Sequence, residues 1–120
     1  MNNTEIIESY DFKKLESYLI NYNEYLKGLE NNIYTVGVTE QLEFICDEII
    51  YRYDVADSLT QDVIRMSYLD VEVISSEFDR VVIKRDDVLT MSEDLGVTVD
   101  QIHNIRNEFI KTLAKAIDYI

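Results

Sequence analysis

The stretch LGVTVDQIHNIRNEF, residues 95 to 109, constrains the fold of this chain more than any other segment. Gly96 readily adopts the left-handed conformation with which many helices end. Thr98 and Gln101 have the spacing of a capping box, in which two side chains satisfy free backbone N–H groups at a helix start. The stretch therefore predicts a glycine turn followed by an amphipathic helix. Its apolar stripe consists of Ile102, Ile105, Phe109, Leu113 and Ile117.

A shorter helix is predicted before this turn. It begins at Asp86 or Asp87, because a carboxylate suits the N-terminus of a helix. It ends at Gly96 and buries Val88, Met91 and Leu95. Residues 86–117 thus have the pattern of a helix-turn-helix.

Further amphipathic helices are predicted in the first half of the chain, where apolar and tyrosyl residues recur three and four apart. Residues 6–33 predict one long helix, or two with a break near Asp11. A second helix is capped by Thr39, and a short third helix, roughly 58–69, starts with a capping box of Ser58 and Gln61. The buried face of the second helix is expected to hold Leu42, Ile45, Cys46, Ile49, Ile50 and Tyr53.

Between Asp70 and Lys84 the pattern changes to alternating, β-branched residues, which favour a strand. The residues that alternate with Glu72, Arg80 and Val82 in this segment are Val71, Val73, Phe78, Val81 and Ile83. They predict a small β-hairpin or extended arm over about residues 70–84, with its turn near residues 75–77. The sequence contains no proline and only three glycines, which favours helices joined by short connections over a turn-rich β fold. The predicted fold is therefore mainly α, a helical domain with a C-terminal helix-turn-helix.

Several classes of protein are disfavoured by composition. No run of about 18 apolar residues is present, and the N-terminus lacks a signal-peptide pattern, so we expect a cytoplasmic protein without membrane contact. Cys46 and His103 are the single cysteine and histidine, so no disulfide, metal site or cofactor is expected. Carboxylate pairs such as Asp47-Glu48 lack a partner base and are interpreted as helix starts or solvated faces. The sequence predicts no enzyme.

Charge is distributed unevenly along the chain. The formal net charge is −13. Residues 1–83 hold 17 acidic and 6 basic residues, whereas residues 84–120 hold 7 and 5. Neutralisation of phosphates supplies most non-specific affinity for DNA, so such a body disfavours DNA binding except through a locally neutral or basic surface.

A helix-turn-helix can place its second helix in the major groove of DNA, although a plain corner of two helices gives the same pattern. The amides of Gln101, Asn104 and Asn107 suit adenine, or belong to a solvated helix surface. Arg106 is either a phosphate clamp or a partner of carboxylates, and His103 is interpreted as exposed surface. The candidate DNA-binding residues are Thr98, Gln101, His103, Asn104, Arg106, Asn107 and Lys111.

The tyrosines of the first predicted helix allow two interpretations. Tyrosines can form a stacking platform for single-stranded nucleic acid. Helical spacing on an acidic helix favours a core or a dimer interface instead. The residues concerned are Tyr10, Tyr18, Tyr22 and Tyr25.

The segment MSEDLGVTVDQIHNIRNEFIKTLA, residues 91 to 114, resembles the sigma-70 region-four-like helix-turn-helix of phage late transcription regulators of the RinA and ArpU type. The resemblance is good over residues 58–69 and 86–117, loose over 12–57 and absent over about 70–85. The chain length predicts one domain over residues 1–120, in which the N-terminal helices of residues 1–57 are candidates for oligomerisation. Residues 58–120 are expected to form the sigma region-four-like helix-turn-helix, with an inserted arm that is longer than the connection usual in the family. The resemblance implies binding to promoter or operator DNA through the last helix, in the cytoplasm of a bacterial host cell.

This chain departs from the family on the exposed front of that helix. Where the family often has basic or small polar residues, the chain has Val99, Asp100, His103 and Asn104. Two hypotheses follow. In the first, the chain is a transcription regulator that binds promoter DNA, RNA polymerase or both, with N-terminal helices that form a homodimer or recruit the polymerase. In the alternative, it is an acidic phage interaction protein without DNA binding, such as a DNA mimic that inhibits RNA polymerase, a CRISPR effector or another host protein.

Overall fold

Helices make up most of the computed structural model, which describes residues 2–9, 11–77 and 79–117. Six α-helices lie within these residues: α1 (Lys13–Ile20), α2 (Tyr22–Glu30), α3 (Val36–Asp54), α4 (Ser58–Ile64), α5 (Val88–Leu95) and α6 (Val99–Ala116). A π-helical turn, Arg65–Leu69, continues α4. The strands β1 (Asn2–Glu8), β2 (Glu72–Glu77) and β3 (Arg80–Asp86) form one antiparallel sheet. The fold is therefore mainly α with a small sheet.

The predicted hairpin is confirmed, but the predicted turn at residues 75–77 is wrong, because these residues continue the pairing of β2 with β3. Strands β2 and β3 pair from Glu72 opposite Lys84 to Glu77 opposite Arg80, with one irregularity in register near Ile74. Alternate residues of β3 point into the domain and are buried, namely Val81, Ile83 and Arg85. All of β2 is exposed, and Phe78 of the predicted alternation lies outside the described residues.

The prediction of helix from residue 6 is wrong, because residues 2–8 form the strand β1. This strand pairs with the second edge of β3, in the order β1-β3-β2. Ile7 is 6% exposed and lies opposite Val81, whereas Ile6 is 52% exposed. The backbone groups along the edge of β3 need partners, and this tertiary demand overrides the helical spacing read from the sequence.

The break predicted near Asp11 is confirmed, since Asp11 has a φ of 53°. A second break at Asn21, which the sequence did not predict, separates α1 from α2. Tyr10 lies outside the described residues. The chain therefore enters the sheet, turns at Asp11 and returns along two short helices.

Two predicted helix starts differ in the structure. Helix α3 begins three residues before Thr39, after an extended Thr35. Helix α4 is capped by Asp57, whose carboxylate accepts from Thr60 N at 2.7 Å, and not by the Ser58 capping box. Asp57 precedes Ser58 and offers a charged acceptor, which is a stronger partner for an N–H group than a hydroxyl.

The core consists of two clusters. The larger one joins β1, β3, α1, α3, the end of α4, the π-helical turn and α6. The smaller one joins α4, α5 and α6 through Val63, Met91 and Ile102. The predicted buried face of α3 is confirmed at Leu42, Ile45, Cys46 and Ile49. Tyr53 is half-buried against the core, whereas Ile50 is 39% exposed.

Strand β1 predicts unequal roles for two adjacent isoleucines. Replacement of Ile7 by alanine should lower the free energy of unfolding by about 2–4 kcal/mol, because it removes buried methyl groups and leaves a cavity. The same replacement of exposed Ile6 should cost less than about 1 kcal/mol. Urea unfolding followed by circular dichroism measures both values, and equal losses would contradict the register of β1.

Candidate nucleic-acid interface

Helices α4, α5 and α6 pack around one small core, which positions α6 relative to the turn before it. Met91 of α5 and Ile102 of α6 are fully buried in that core. Gly96 ends α5 with a φ of 67°, in the left-handed conformation that was predicted. The α5 N-terminus is also as predicted, because Asp87 accepts from Thr90 N at 2.8 Å. Helix α6 thus leaves the turn with one side packed and the other in solvent.

The predicted capping box at the start of α6 is confirmed. The Thr98 hydroxyl accepts from Gln101 N at 3.1 Å, and the Gln101 side-chain oxygen accepts from Thr98 N at 2.8 Å. Both residues are exposed. Their first role is therefore to fix the first turn of α6, and any contact with a ligand has to be made while these bonds are kept.

Four other candidate residues lie on the solvent side of α6. His103, Asn107 and Lys111 follow one another at intervals of four along one edge, and Asn104 lies nearer the opposite edge. All four are exposed. The structure thus brings these predicted residues together on one surface.

This surface of α6 is neutral overall. Its cations are Lys111 and Lys115, and its anions are Asp100 and Glu108. Lys111 Nζ also lies 3.6 Å from Glu108 Oε1, so part of its charge is shared within the helix. The face offers amides and hydroxyls more than positive charge.

Arg106 does not belong to that surface. Its side chain points inward, and the residue is 9% exposed. Its Nε donates to Ser67 Oγ at 2.8 Å, and its Nη2 donates to Met91 Sδ at 3.4 Å. Within the described residues no carboxylate lies in ion-pair distance of it. Burial and the neighbouring Arg85 lower the pKa of Arg106, although a guanidinium stays charged at neutral pH. Neither the predicted phosphate clamp nor direct carboxylate pairing describes its position.

A second buried arginine lies beside Arg106. Arg85 of β3 forks onto Glu5 of β1, with Nε–Oε2 at 2.6 Å and Nη2–Oε1 at 3.0 Å. Its Nη1 donates to the Ser67 carbonyl at 2.6 Å. This bidentate geometry is the strong form of the arginine–carboxylate pair. The hydrogen bond from Arg85 holds the pKa of Glu5 below its ordinary value of 4.5.

Tyr68 completes this group. Both guanidiniums lie over its ring, at 5.6 Å for Arg85 and 5.9 Å for Arg106. Its hydroxyl donates to Glu16 Oε2 at 2.8 Å, and burial raises the pKa of Tyr68. We call this group the arginine–tyrosine cluster, and its members are Glu5, Glu16, Ser67, Tyr68, Arg85 and Arg106.

Sequence reasoning missed the cluster, although the signal was present. Arg106 follows Ile102 by four residues and precedes Phe109 by three, which places it on the apolar stripe of α6. Arg85 follows Ile83 by two, which places it on the inward face of β3. Strict periodicity would have assigned both arginines to the interior.

Among the grooves that the described residues form, two lie on either side of the exposed face of α6. The first, with a volume of about 380 Å³, is lined by Arg52, Val55, Ala56 and Thr60 on one side and by Asn104, Ile105, Glu108, Phe109 and Thr112 of α6 on the other. The second, of about 230 Å³, is lined by Phe12, Glu16 and Tyr68 on one side and by His103, Arg106, Asn107, Ile110 and Lys111 on the other. The exposed face of α6 is therefore a ridge between two depressions.

The described tyrosines of the N-terminal segment are packed against the protein. Tyr18 and Tyr22 lie against the larger core cluster. The rings of Tyr18 and Tyr25 meet edge to face with centroids 6.5 Å apart, and burial raises the pKa of Tyr25 to about 12. This placement favours the core interpretation over a stacking platform.

In the part of the chain that the structure describes, no group of three or more His, Cys, Asp or Glu side chains is placed to hold a metal ion. None of the helices there has the length and apolar character needed to cross a membrane. Burial raises the pKa of the Cys46 thiol to about 11, which keeps it protonated and poorly reactive at neutral pH.

Comparison with protein-family models, with curated proteins and with solved structures found no match for this chain. The interpretation of α6 therefore depends on its own residues.

The contrast between a buried and an exposed cation of α6 can be measured. Arg106→Ala should lower the free energy of unfolding by roughly 2–4 kcal/mol, because it removes a large buried side chain with its hydrogen bonds. Lys111→Ala should change it by less than about 0.5 kcal/mol. Denaturant unfolding measures the free energy of unfolding of both variants. If Arg106→Ala left that free energy unchanged, the buried position of Arg106 would be wrong.

The Glu5–Arg85 pair predicts a pH dependence of stability. Because the folded-state pKa of Glu5 is lowered, its ionised form stabilises the fold above the ordinary pKa, and this contribution is lost as pH falls through the folded pKa. The gap in unfolding free energy between the natural chain and Glu5→Gln should be widest near neutral pH and narrow below about pH 4.5. A gap that widens on acidification would contradict the assignment.

Proposed function

We propose that the chain is a phage-type transcription regulator in which α5 and α6 form a helix-turn-helix that contacts promoter DNA. One observation carries the proposal. Helix α6 packs against α4 and α5 in a three-helix unit. It follows the left-handed turn at Gly96, begins with a complete capping box, and has its outer side in solvent. A capped helix that follows a glycine turn and keeps one side exposed supports the proposal, because a recognition helix needs these features to enter the major groove.

The surface of α6 supplies two kinds of contact. Asn104 and Asn107, with Gln101 at the first turn, present amides that match the hydrogen-bonding edge of adenine. Lys111 and Lys115 lie one and two turns further on and suit backbone phosphates. Arg106 is left out of this set because it is buried. Its part is to hold α6 in place beneath the contacting residues.

The neutral face of α6 implies weak binding to DNA by this chain alone. Two lysines release few counterions, and the acidic body repels the phosphate backbone. Stable occupation of a promoter then requires a protein bound beside it, with RNA polymerase as the natural candidate. The proposed regulator therefore works as an adaptor on DNA more than as an independent repressor.

The DNA contact is tested by removing one amide and one cation from the exposed face. The double variant Asn107→Ala/Lys111→Ala should weaken binding to the promoter DNA of its own genome by about tenfold or more, since it removes a base contact and a phosphate contact. Mobility shift at low salt is the measurement. For the natural chain, the logarithm of affinity should fall with the logarithm of salt concentration with a slope near −2.

The matched control removes the same chemistry elsewhere. Lys27 on α2 and Gln41 on α3 are exposed and lie outside α6. Lys27→Ala/Gln41→Ala should leave the shift unchanged. If both double variants behave alike, or if the natural chain shows no shift at low salt, α6 is not a DNA-reading helix.

A second candidate is an acidic interaction protein that occupies the nucleic-acid channel of a host enzyme. Its specific support is the loss of Arg106 to the core, which leaves α6 with no net positive charge beside an acidic body. Such a protein would show no affinity for DNA at low salt. It would instead inhibit a basic nucleic-acid enzyme in competition with that enzyme's substrate.

A further inference from the structure

Helix α3 carries an apolar stripe on its solvent side. Phe44, Tyr51 and Val55 are 49%, 55% and 62% exposed. At about 100° per residue these three positions fall within an arc of about 40°, so they form one line along the helix. Within the described residues no element covers them. Large aromatic side chains left in water over several helical turns are typical of a binding surface.

An acidic stripe runs beside the apolar one. It consists of Glu40, Glu43, Asp47 and Asp54. All four are exposed, and none of them takes part in an ion pair within the described residues. Arg52, the one cation of this helix, is directed to Glu48 at 3.4 Å and lies over the ring of Tyr51 at 5.0 Å. The acidic stripe therefore keeps its full charge toward solvent.

The apolar stripe leads into the groove of about 380 Å³ beside α6. Val55 ends the stripe and also lines that groove, together with Ala56 and with Ile105 and Phe109 of α6. The groove has a volume of about 380 Å³, enough for one or two large apolar side chains. We call the stripe, the acids beside it and this groove the α3 face.

We infer that the α3 face docks an amphipathic helix of a partner protein that presents apolar residues flanked by lysines or arginines. An apolar line bordered by one sign of charge is the complement of such a helix. Apolar contacts along Phe44 and Tyr51 would supply affinity, and the acids would attract and orient the basic flank. An anchor residue of the partner would fill the groove at Val55.

Charge decides against the other occupants of this face. A second copy of the chain would bring another net charge of −13 and, in a symmetric dimer, the same acidic stripe against its equal. DNA would meet carboxylates with its phosphates. A basic amphipathic helix would both neutralise the acidic stripe and bury the apolar stripe.

The inference goes beyond the proposed function and does not require α6 to bind DNA. It also differs from charge mimicry, because mimicry needs the acids alone whereas docking needs the apolar stripe as well. The two can be separated by altering the apolar and acidic residues independently.

The probe is a fluorescently labelled synthetic helix of about 15 residues with leucines on one face and lysines on the flanks. Binding to the full chain is followed by fluorescence anisotropy. Phe44→Ser/Tyr51→Ser should weaken it by about tenfold or more, because it removes the apolar line. Glu40→Gln/Glu43→Gln/Asp47→Asn should weaken it similarly at low salt, with less difference at high salt. These positions are exposed, and unfolding curves verify that the variants remain folded.

A matched control removes three acids from the hairpin, as Glu72→Gln/Glu77→Gln/Asp79→Asn, and leaves the same net charge as the acidic α3 variant. It should change binding by less than about threefold.

Equal weakening by both acidic variants, or full binding by the Phe44→Ser/Tyr51→Ser variant, would overturn the α3 face and leave only non-specific charge attraction. A dimer in sedimentation that the Phe44→Ser/Tyr51→Ser variant abolishes would also overturn it, by assigning the face to a second copy. Because DNA is absent from these measurements, their outcome is independent of the mobility shift.

Discussion

The arginine–tyrosine cluster is the interaction on which the rest of the fold depends. Its six residues come from β1, α1, the π-helical turn, β3 and α6, and Ser67 receives hydrogen bonds from both arginines. Each buried guanidinium would cost several kcal/mol if it were left without partners. Assembly of the sheet against the helices is what supplies those partners. The cluster therefore couples the hairpin and the N-terminal strand to the position of α6. Displacement of any one of these elements would disturb the hydrogen bonds that position the others.

This arrangement divides α6 between the fold and the surface. Arg106, the one arginine of α6, holds this helix against Ser67 and Met91. What remains outside is a neutral ridge of amides, with two lysines balanced by two carboxylates. A helix of this kind can discriminate bases by hydrogen bonding but gains little affinity from phosphates. The division explains why the motif can retain the framework of a DNA reader while lacking its usual charge.

Local signals predicted the parts of the fold that local interactions determine. The Gly96 turn and the Thr98–Gln101 box follow from backbone chemistry within five residues, and both are present. The hairpin also follows from alternation within one segment. Strand β1 could not be found in this way, because residues 2–8 become a strand only when the edge of β3 is beside them. For the candidate interface, the apolar stripe of α6 predicts which of its residues are exposed. The same stripe predicts an inward Arg106, but the partners that a buried guanidinium needs, Ser67 and Met91, lie far away in the sequence. The pairing of Arg85 with Glu5 joins residues 80 positions apart, which no spacing rule in one sequence can reveal.

The proposed surfaces on α3 and α6 are physically adjacent, and this has a consequence for how they act. Val55 of α3 and Asn104 of α6 line the same groove, so a basic helix docked on α3 would lie next to the face that is proposed to meet DNA. Its lysines would neutralise Glu40, Glu43 and Asp47 and so remove repulsion between the acidic body and phosphate. Electrostatic coupling of this kind is reciprocal, because each ligand raises the affinity for the other by the same factor. If both proposals hold, the weak contact of α6 with DNA would therefore be strengthened by a basic partner on the α3 face, and binding of that partner would be strengthened by DNA.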